Sequence, residues 1–346
     1  MIQANPANVG PETTLARAIQ LTEFGGPEVM RLVTSGLAAP AAGEVQLRQT
    51  AIGFNYIDIY QRMGKYPLPN PTGLGHEAAG VVEALGAGVT ALKVGDHVVY
   101  MNAGVGAYAD RRNVPEAKLV KIPAGISDED AAAVFFKAMT AQYLVKKTHA
   151  VQPGDVVLVH AAAGGVGLIL CRWAKALGAV VIGTAGSPAK CALAMEAGCK
   201  ACIDYTQADW VEQVQSAMGG RKARVVYDSV AQHTFMGSLD CTAPFGMVVL
   251  FGAASGPAPA FDPELLNKKG CLFLTRPSVF PHNADPATFR TNAADVFAAM
   301  ASGAIKATIG ARFTLDQLPD AHRAAEARQT TGSMVITLHH DVTAQP

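Results

Sequence analysis

The stretch Asp155-Val-Val-Leu-Val-His-Ala-Ala-Ala-Gly-Gly-Val-Gly167 constrains this chain more than any other. A β-branched apolar run enters a glycine-rich turn. Apolar residues then recur three or four positions apart, at Val166, Ile169, Leu170, Trp173, Ala174 and Leu177. Strand, turn and helix in that order form the setting in which a glycine fingerprint holds a dinucleotide. Ala162, Gly164 and Gly167 stand at the three glycine positions of G-x-G-x-x-G. Ala162 tolerates the turn, Gly164 admits the pyrophosphate, and Gly167 lets the helix press on the strand. The helix N-terminus offers N–H groups and a partial positive charge to the phosphates.

An NAD site needs a carboxylate about 20 residues past the glycines, at the end of the next strand, to bind the adenosine 2′-OH. Here that strand, Val180-Val-Ile-Gly-Thr184, leads into Gly-Ser-Pro-Ala-Lys190 with no acid until Glu196. A carboxylate there would repel a 2′-phosphate, so its absence favours NADP(H), and Ser187 and Lys190 add a hydroxyl and a cation. Lys190 is open to a second reading, as a solvated residue at the start of a helix.

With 346 residues, half of them apolar, the chain can bury a large core and divide into two domains. Lys+Arg and Asp+Glu balance at 28 each, which gives no pull toward nucleic acid or an acidic membrane. No apolar run reaches transmembrane length, and residues 1–17 lack a hydrophobic signal core, so they are expected to form a loose tail. A soluble cytoplasmic protein is expected. Of the six cysteines only Cys199 and Cys202 are close, with no second pair to complete a zinc site; they read as small core side chains.

Residues 18 to about 137 read as mostly β, with strands at 18–22, 44–48, 79–83 and 97–100 separated by Gly-, Pro- and Asp-rich turns. From 138 to 276 strands at 156–160, 180–184, 201–204, 224–228, 247–252 and 271–275 alternate with helical segments such as 208–218. That pattern implies an α/β doubly wound parallel sheet. Helices are expected at 288–302 and 315–329, and then a strand, Ser333-Met-Val-Ile-Thr337, that returns to the first domain. The domains are therefore expected at 18–137 with 277–346, and at 138–276.

These elements resemble the medium-chain dehydrogenase/reductase superfamily across nearly the whole chain, and within it the zeta-crystallin-like quinone oxidoreductases. The resemblance is carried by Phe24-Gly-Gly-Pro-Glu28, Ala51-Ile-Gly-Phe-Asn-Tyr-Ile-Asp58, Gly73-Leu-Gly-His-Glu-Ala-Ala-Gly80, His160 to Gly167, Arg224-Val-Val-Tyr-Asp-Ser-Val230 and Thr275-Arg-Pro-Ser278. It implies a GroES-like, partly closed β-barrel domain beside a Rossmann-type NADP-binding domain. It also implies reduction of a quinone by NADPH, and a homodimer formed through the edge strand at 271–275, since an exposed edge invites pairing.

Gly75-His76-Glu77 is also similar to the zinc-binding His-Glu of the superfamily's alcohol dehydrogenases. Catalytic zinc needs three protein ligands with soft or imidazole donors. Where those enzymes place a cysteine this chain has Asn55, and the later cysteine falls near Phe136 or Lys137. Residues 95–115 hold no cysteine for a structural zinc lobe. No metal is expected, and His76 departs from the quinone oxidoreductase pattern. A quinone suits such a site: its product anion is delocalised, with a conjugate acid near pKa ~10, so positioning suffices without a Lewis acid.

The resemblance implies Asn55, Asp58 and Tyr60 at the nicotinamide end as the catalytic group, with Asp58 open equally to reading as a helix cap. Tyr60 and Tyr66 are candidates for stacking on the acceptor, or plain core aromatics. For the cofactor it implies Thr140 and Tyr143 near the nicotinamide and phosphates, and Gly164, Gly165 and Val166 at the pyrophosphate. Gly186, Ser187, Lys190 and Tyr205 fall at the 2′-phosphate. Ser229, Phe251, Gly252 and Ser255 follow strand ends, and Pro277, Ser278 and Arg328 are late contacts. The hydride chemistry is the cofactor's. Reduction of an α,β-unsaturated carbonyl is an alternative activity, and a non-catalytic NADPH-binding role, crystallin-like or RNA-binding, is another. Neutral charge without a basic stripe argues against nucleic acid.

Overall fold

A computed structural model describes residues 14–338. In chain order it begins with β1 (Thr14–Leu21), β2 (Arg31–Leu37), β3 (Glu44–Gly53), α1 (Tyr56–Arg62), β4 (Thr72–Gly73), β5 (Glu77–Leu85), β6 (His97–Met101), β7 (Arg111–Pro115) and β8 (Leu119–Lys121). Next come α2 (Asp128–Tyr143), β9 (Val156–Val159), α3 (Gly165–Ala176), β10 (Val180–Ala185), α4 (Pro188–Glu196), β11 (Ala201–Asp204) and α5 (Trp210–Ala217). They are followed by β12 (Ala223–Asp228), α6 (Phe235–Cys241), β13 (Thr242–Leu250), α7 (Glu264–Lys268), β14 (Phe273–Thr275), α8 (Val279–His282) and α9 (Pro286–Ala301). The chain closes with β15 (Ile309–Phe313), α10 (Leu318–Glu326) and β16 (Ser333–Thr337).

Two compact units divide these residues. One comprises the described residues up to Phe136 and those from Ala307 onward; the other is Lys137–Lys306. The segment 277–306, expected from sequence in the β unit, falls in the second. Its helix α9 is tied there by Gln142, which donates to Asn292 and Asp295, and by Lys146 on Asp295 at 2.9 Å. The tail expected over 1–17 also ends early. Thr14 already pairs with Leu37, and residues 1–13 lie outside those described. The helix expected over 315–329 ends as an α-helix at Glu326, after a 3-10 turn at Leu315–Gln317.

The first unit is built on a sheet ordered β15-β16-β3-β5-β6-β8, with β7 on β3, and a small sheet β2-β1-β4. Apart from β15 on β16, every pairing is antiparallel. β16 occupies the residues expected, 333–337, and returns to pair with β3. Its core gathers Leu21, Leu47, Ile52, Ile59, Leu74, Tyr100 and Ile336.

The second unit holds six parallel strands in the order β11-β10-β9-β12-β13-β14. Counted from β9 this is the dinucleotide-binding order 3-2-1-4-5-6, whose crevice opens beyond the carboxyl ends of the strands where the order reverses, between β9 and β12. β9 is buried at all four residues, Val-Val-Leu-Val, as a central parallel strand must be. Cys171 and Cys199 are buried with Sγ atoms 3.4 Å apart, and Cys199 and Cys202 crowd Gly183 of β10. Burial pushes the Cys202 thiol well up, and the hydrogen bond to Cys199, then burial, does the same to Cys171, so Cys171 and Cys202 stay in the unreactive thiol form.

Candidate active site

In the second unit the residues expected to hold the cofactor follow the carboxyl ends of successive parallel strands. Gly164, Gly165 and Val166 come after β9; Gly186, Ser187 and Lys190 after β10; Tyr205 after β11; Ser229 after β12; Phe251, Gly252 and Ser255 after β13; Pro277 and Ser278 after β14. The turn after β9 is made by Ala161, at φ 51°, and Gly164 is the N-cap of α3. A Cβ on Gly167 would stand 2.2 Å from the Ala161 carbonyl oxygen, which is the close helix–strand approach expected of that glycine. On Gly164 it would meet only that oxygen, at 3.2 Å. The first turn of α3 carries no side-chain cap and no acidic residue. An anion fits there, on N–H groups and the positive end of the helix dipole.

At the other end of the crevice, the Tyr205 hydroxyl lies 3.1 Å from where a Gly186 Cβ would sit. Ser187 caps α4, accepting from the Lys190 N–H at 3.4 Å. The Lys190 backbone is thus fixed at the helix start, with its side chain half-buried. Asp204, which pairs with Ala185 across β10 and β11, turns its carboxylate to Thr206 at 2.8 and 3.0 Å. A hydroxyl, an ammonium and a phenol brought together at these strand ends suit a phosphate monoester.

β12 and β13 meet closely beyond their ends. A Cβ on Gly252 would lie 2.7 Å from the Ser229 carbonyl oxygen, and Ser255 Oγ donates to the Val230 carbonyl at 2.7 Å. Thr140 and Tyr143 lie on α2. Tyr143 is buried and stacked on His282 with centroids 4.3 Å apart, and burial raises its phenol. It braces the segment after Ser278, which caps α8 by accepting from the Phe280 N–H at 3.4 Å.

Beneath these loops runs a buried polar chain that sequence reading passed over. His160, between β9 and the glycine turn, bonds Thr184 Oγ1 at 2.7 Å and Ser238 Oγ at 3.0 Å. Ser238 bonds Asp228 at 2.9 Å, and Asp228 also accepts from Thr234 and from the Val230 and Ala231 N–H groups. Burial lowers the His160 pKa despite the Asp228 charge, so the ring is neutral and donates through one nitrogen only. The chain locks the ends of β9, β10 and β12 together. The juxtaposition of His160 with the glycine turn was its one visible signal.

In the first unit Asn55 and Asp58 form a capping box at the start of α1, with Asp58 accepting from the Asn55 N–H at 3.0 Å. Asp58 is fully buried and also accepts from Tyr108 Oη at 2.7 Å. It thus acts as the helix cap that orients Asn55. Asn55 Nδ2 donates to Glu77 Oε2 at 2.9 Å, and Glu77 also accepts from the Phe136 N–H. Gly53 makes room: a Cβ there would lie 2.2 Å from Glu77 Oε2. Glu77 as the partner of Asn55 was not foreseen.

His76 bonds Gln61 Oε1 at 3.0 Å through Nε2, and burial, then the Arg112 charge, pushes its pKa down to about 4. Among the described residues no three His, Cys, Asp or Glu side chains gather to hold a metal. The donor set also does not suit catalytic zinc. An amide replaces the thiolate at Asn55 and is committed to Glu77, and the imidazole is committed to Gln61.

Tyr60 and Tyr66 stand edge to face with centroids 5.4 Å apart, and Tyr56, not singled out from sequence, extends the row at 5.3 Å from Tyr60. Tyr66 is exposed and Tyr60 half-buried, so neither is a plain core ring. Arg328 is exposed in the left-handed conformation after α10, at φ 55°, where its charge acts on the Tyr56 phenol.

Residues 41–124 match the model of the alcohol dehydrogenase GroES-like domain, and residues 165–297 that of zinc-binding dehydrogenases. A quinone oxidoreductase of Pseudomonas aeruginosa is 45% identical over 323 residues, 93% of this chain and 99% of that protein. A 2-haloacrylate reductase of a Burkholderia species is 40% identical over 329 residues, again 93% and 99%. The crystal structure of Escherichia coli quinone oxidoreductase complexed with NADPH superposes with a TM-score of 0.90 at 43% identity, covering 93% of this chain and 100% of that one.

Proposed function

The chain belongs to the quinone oxidoreductase family, and from that premise we propose that it transfers reducing equivalents from NADPH to a quinone without a metal ion. The observation that carries this reading is the row of glycines, hydroxyls and Lys190 beyond the strands of the second unit. No acid lies between Thr184 and Glu196 to claim a ribose 2′-OH, and Asp204 at the end of β11 accepts from Thr206 through Oδ1. NADPH supplies the hydride when bound. Gly164, Gly165 and Val166 would hold its pyrophosphate at the α3 N-terminus. Ser187, Lys190 and Tyr205, with the backbone at Gly186, would take the 2′-phosphate. Thr140, Ser229, Phe251, Gly252, Ser255, Pro277 and Ser278 would line the remainder, Tyr143 bracing them.

Asn55, held by Asp58 and Glu77, would orient the cofactor amide, and Tyr60 and Tyr66 would receive the flat acceptor ring. Arg328 would add a late cationic contact. No group need act as an obligatory acid, because a hydroquinone anion is delocalised and its phenol forms in water at neutral pH.

The 2-haloacrylate reductase relative supports a second acceptor class, an electron-poor C=C bond conjugated to a carboxyl or carbonyl group. Parallel kcat/KM values for a benzoquinone and for an enone and 2-chloroacrylate test this. Quinone turnover well above the others supports the primary reading, and the reverse order replaces it with the second.

No helix among the described residues is long and apolar enough to cross a membrane. A cytoplasmic homodimer is the setting we propose, paired through β14, the edge of the parallel sheet. Phe273 on that edge is 57% exposed, and Phe245 on the neighbouring strand β13 is 62% exposed, apolar surface that pairing would cover.

A further inference from the structure

We propose that Lys65 makes the acceptor site selective for quinones that carry an anionic substituent, such as a sulfonate or carboxylate, on the ring. This rests on the reading that Tyr60 and Tyr66 receive the acceptor.

The turn after α1 folds back on the helix it leaves. Met63 N–H donates to the Ile59 carbonyl at 2.9 Å and Gly64 N–H to Gln61 at 3.0 Å. Lys65 and Tyr66 then both donate their backbone N–H to one acceptor, the Tyr60 carbonyl, at 2.9 and 3.3 Å. Gly64 has φ 73°, and a Cβ on it would stand 3.0 Å from the Phe24 ring, so the turn is close-packed and left-handed at its apex. Lys65 is therefore tethered by its backbone to the residue whose ring it overlies. Its Nζ stands 5.7 Å from the Tyr60 centroid, a cation–π position.

The other end of the tyrosine row is also cationic. Arg328 acts on Tyr56, opposed there by Glu326, but the Glu326 carboxylate is held by the buried Arg62 at 2.6 Å. A ring lying on Tyr60 and Tyr66 thus has an ammonium within about one side-chain length and no uncommitted carboxylate paired against it among those contacts. Lys65 is a compact charge on a flexible stem, so it can reach substituents at more than one ring position. An anion some 5–6 Å from it in a half-exposed site gains about three- to tenfold in affinity.

The test compares 1,4-naphthoquinone with 1,4-naphthoquinone-2-sulfonate, using NADPH, for the wild type, Lys65→Gln and Lys65→Arg at low and high salt. Expected is a kcat/KM ratio of sulfonate to neutral quinone that falls about three- to tenfold in Lys65→Gln, chiefly through KM. It is retained in Lys65→Arg, and it falls in the wild type as salt rises. Turnover of both quinones with a ratio unchanged in Lys65→Gln overturns this inference and leaves the quinone reading standing. Reduction of neither quinone by the wild type overturns that reading, and this inference with it.

Discussion

Asn55 donates its side-chain N–H to Glu77 at 2.9 Å, and both residues are buried. An amide facing a carboxylate satisfies both, whereas a thiolate at the same place would face a like charge. The pair therefore suits a site organised by hydrogen bonds and explains why the chain can carry a His-Glu segment without a metal's ligand set.

Asn55→Ala should remove one donor from a buried carboxylate and cost about 1–3 kcal/mol of stability. Asn55→Asp should cost more, because two carboxylates then meet in a buried site. Urea unfolding of the two variants checks this; Asn55→Asp being the milder substitution would contradict the pairing.

Acid should destabilise the protein through its buried histidines. Burial pushes His76 down to about 4 and His322 to about 3, each with a smaller contribution from a nearby arginine. Between those values and about 6.5, the unfolded chain binds protons that the folded chain refuses. The stability each neutral ring contributes is complete above pH ~6.5 and is lost as pH falls through that window, at most roughly 3 kcal/mol for His76. Midpoints measured from pH 7 to 4.5 should fall less steeply in His76→Gln, and an unchanged slope would argue against the buried neutral ring.

Lys190→Glu should lower kcat/KM for NADPH at least tenfold, about 1.4 kcal/mol, while changing NADH far less. Equal losses for both cofactors would place Lys190 in the α4 helix start alone, as the capping contact from Ser187 also allows.

The edge-strand pairing is best probed at Phe273. Leu272, next to it, is 6% exposed and part of the core, so Leu272→Lys would unfold the second unit whatever the assembly. Phe273→Lys places the charge on the outer face. Light scattering should show half the wild-type mass at an unchanged melting temperature, and an unchanged mass would exclude this edge.

Much of the parallel sheet was legible because each strand is a short apolar run ended by a turn. The six observed strands overlap those expected, and β16 coincides with 333–337. β7, Arg111-Arg-Asn-Val-Pro, was not legible: it pairs through its backbone while its side chains form ion pairs such as Arg111 with Glu83, leaving no apolar alternation to read. The same holds for β2, whose residues are mostly exposed. The glycine positions were readable because a Cβ would collide, as at Gly167, or close an open face, as at Gly164. The His160 to Asp228 chain was not, because its members lie on elements far apart in sequence and only the sheet order brings them together. Asp58 showed the ambiguity in miniature: an acidic residue three after Asn is both a cap signature and a site candidate, and in the structure it makes the cap bond.

The most direct measurement follows the absorbance of NADPH and, separately, NADH with 1,4-benzoquinone, with and without a chelator. Expected is rapid oxidation of NADPH, slow oxidation of NADH, and no effect of the chelator. Absence of turnover, a preference for NADH, or activity abolished by the chelator would contradict metal-free reduction of a quinone by NADPH.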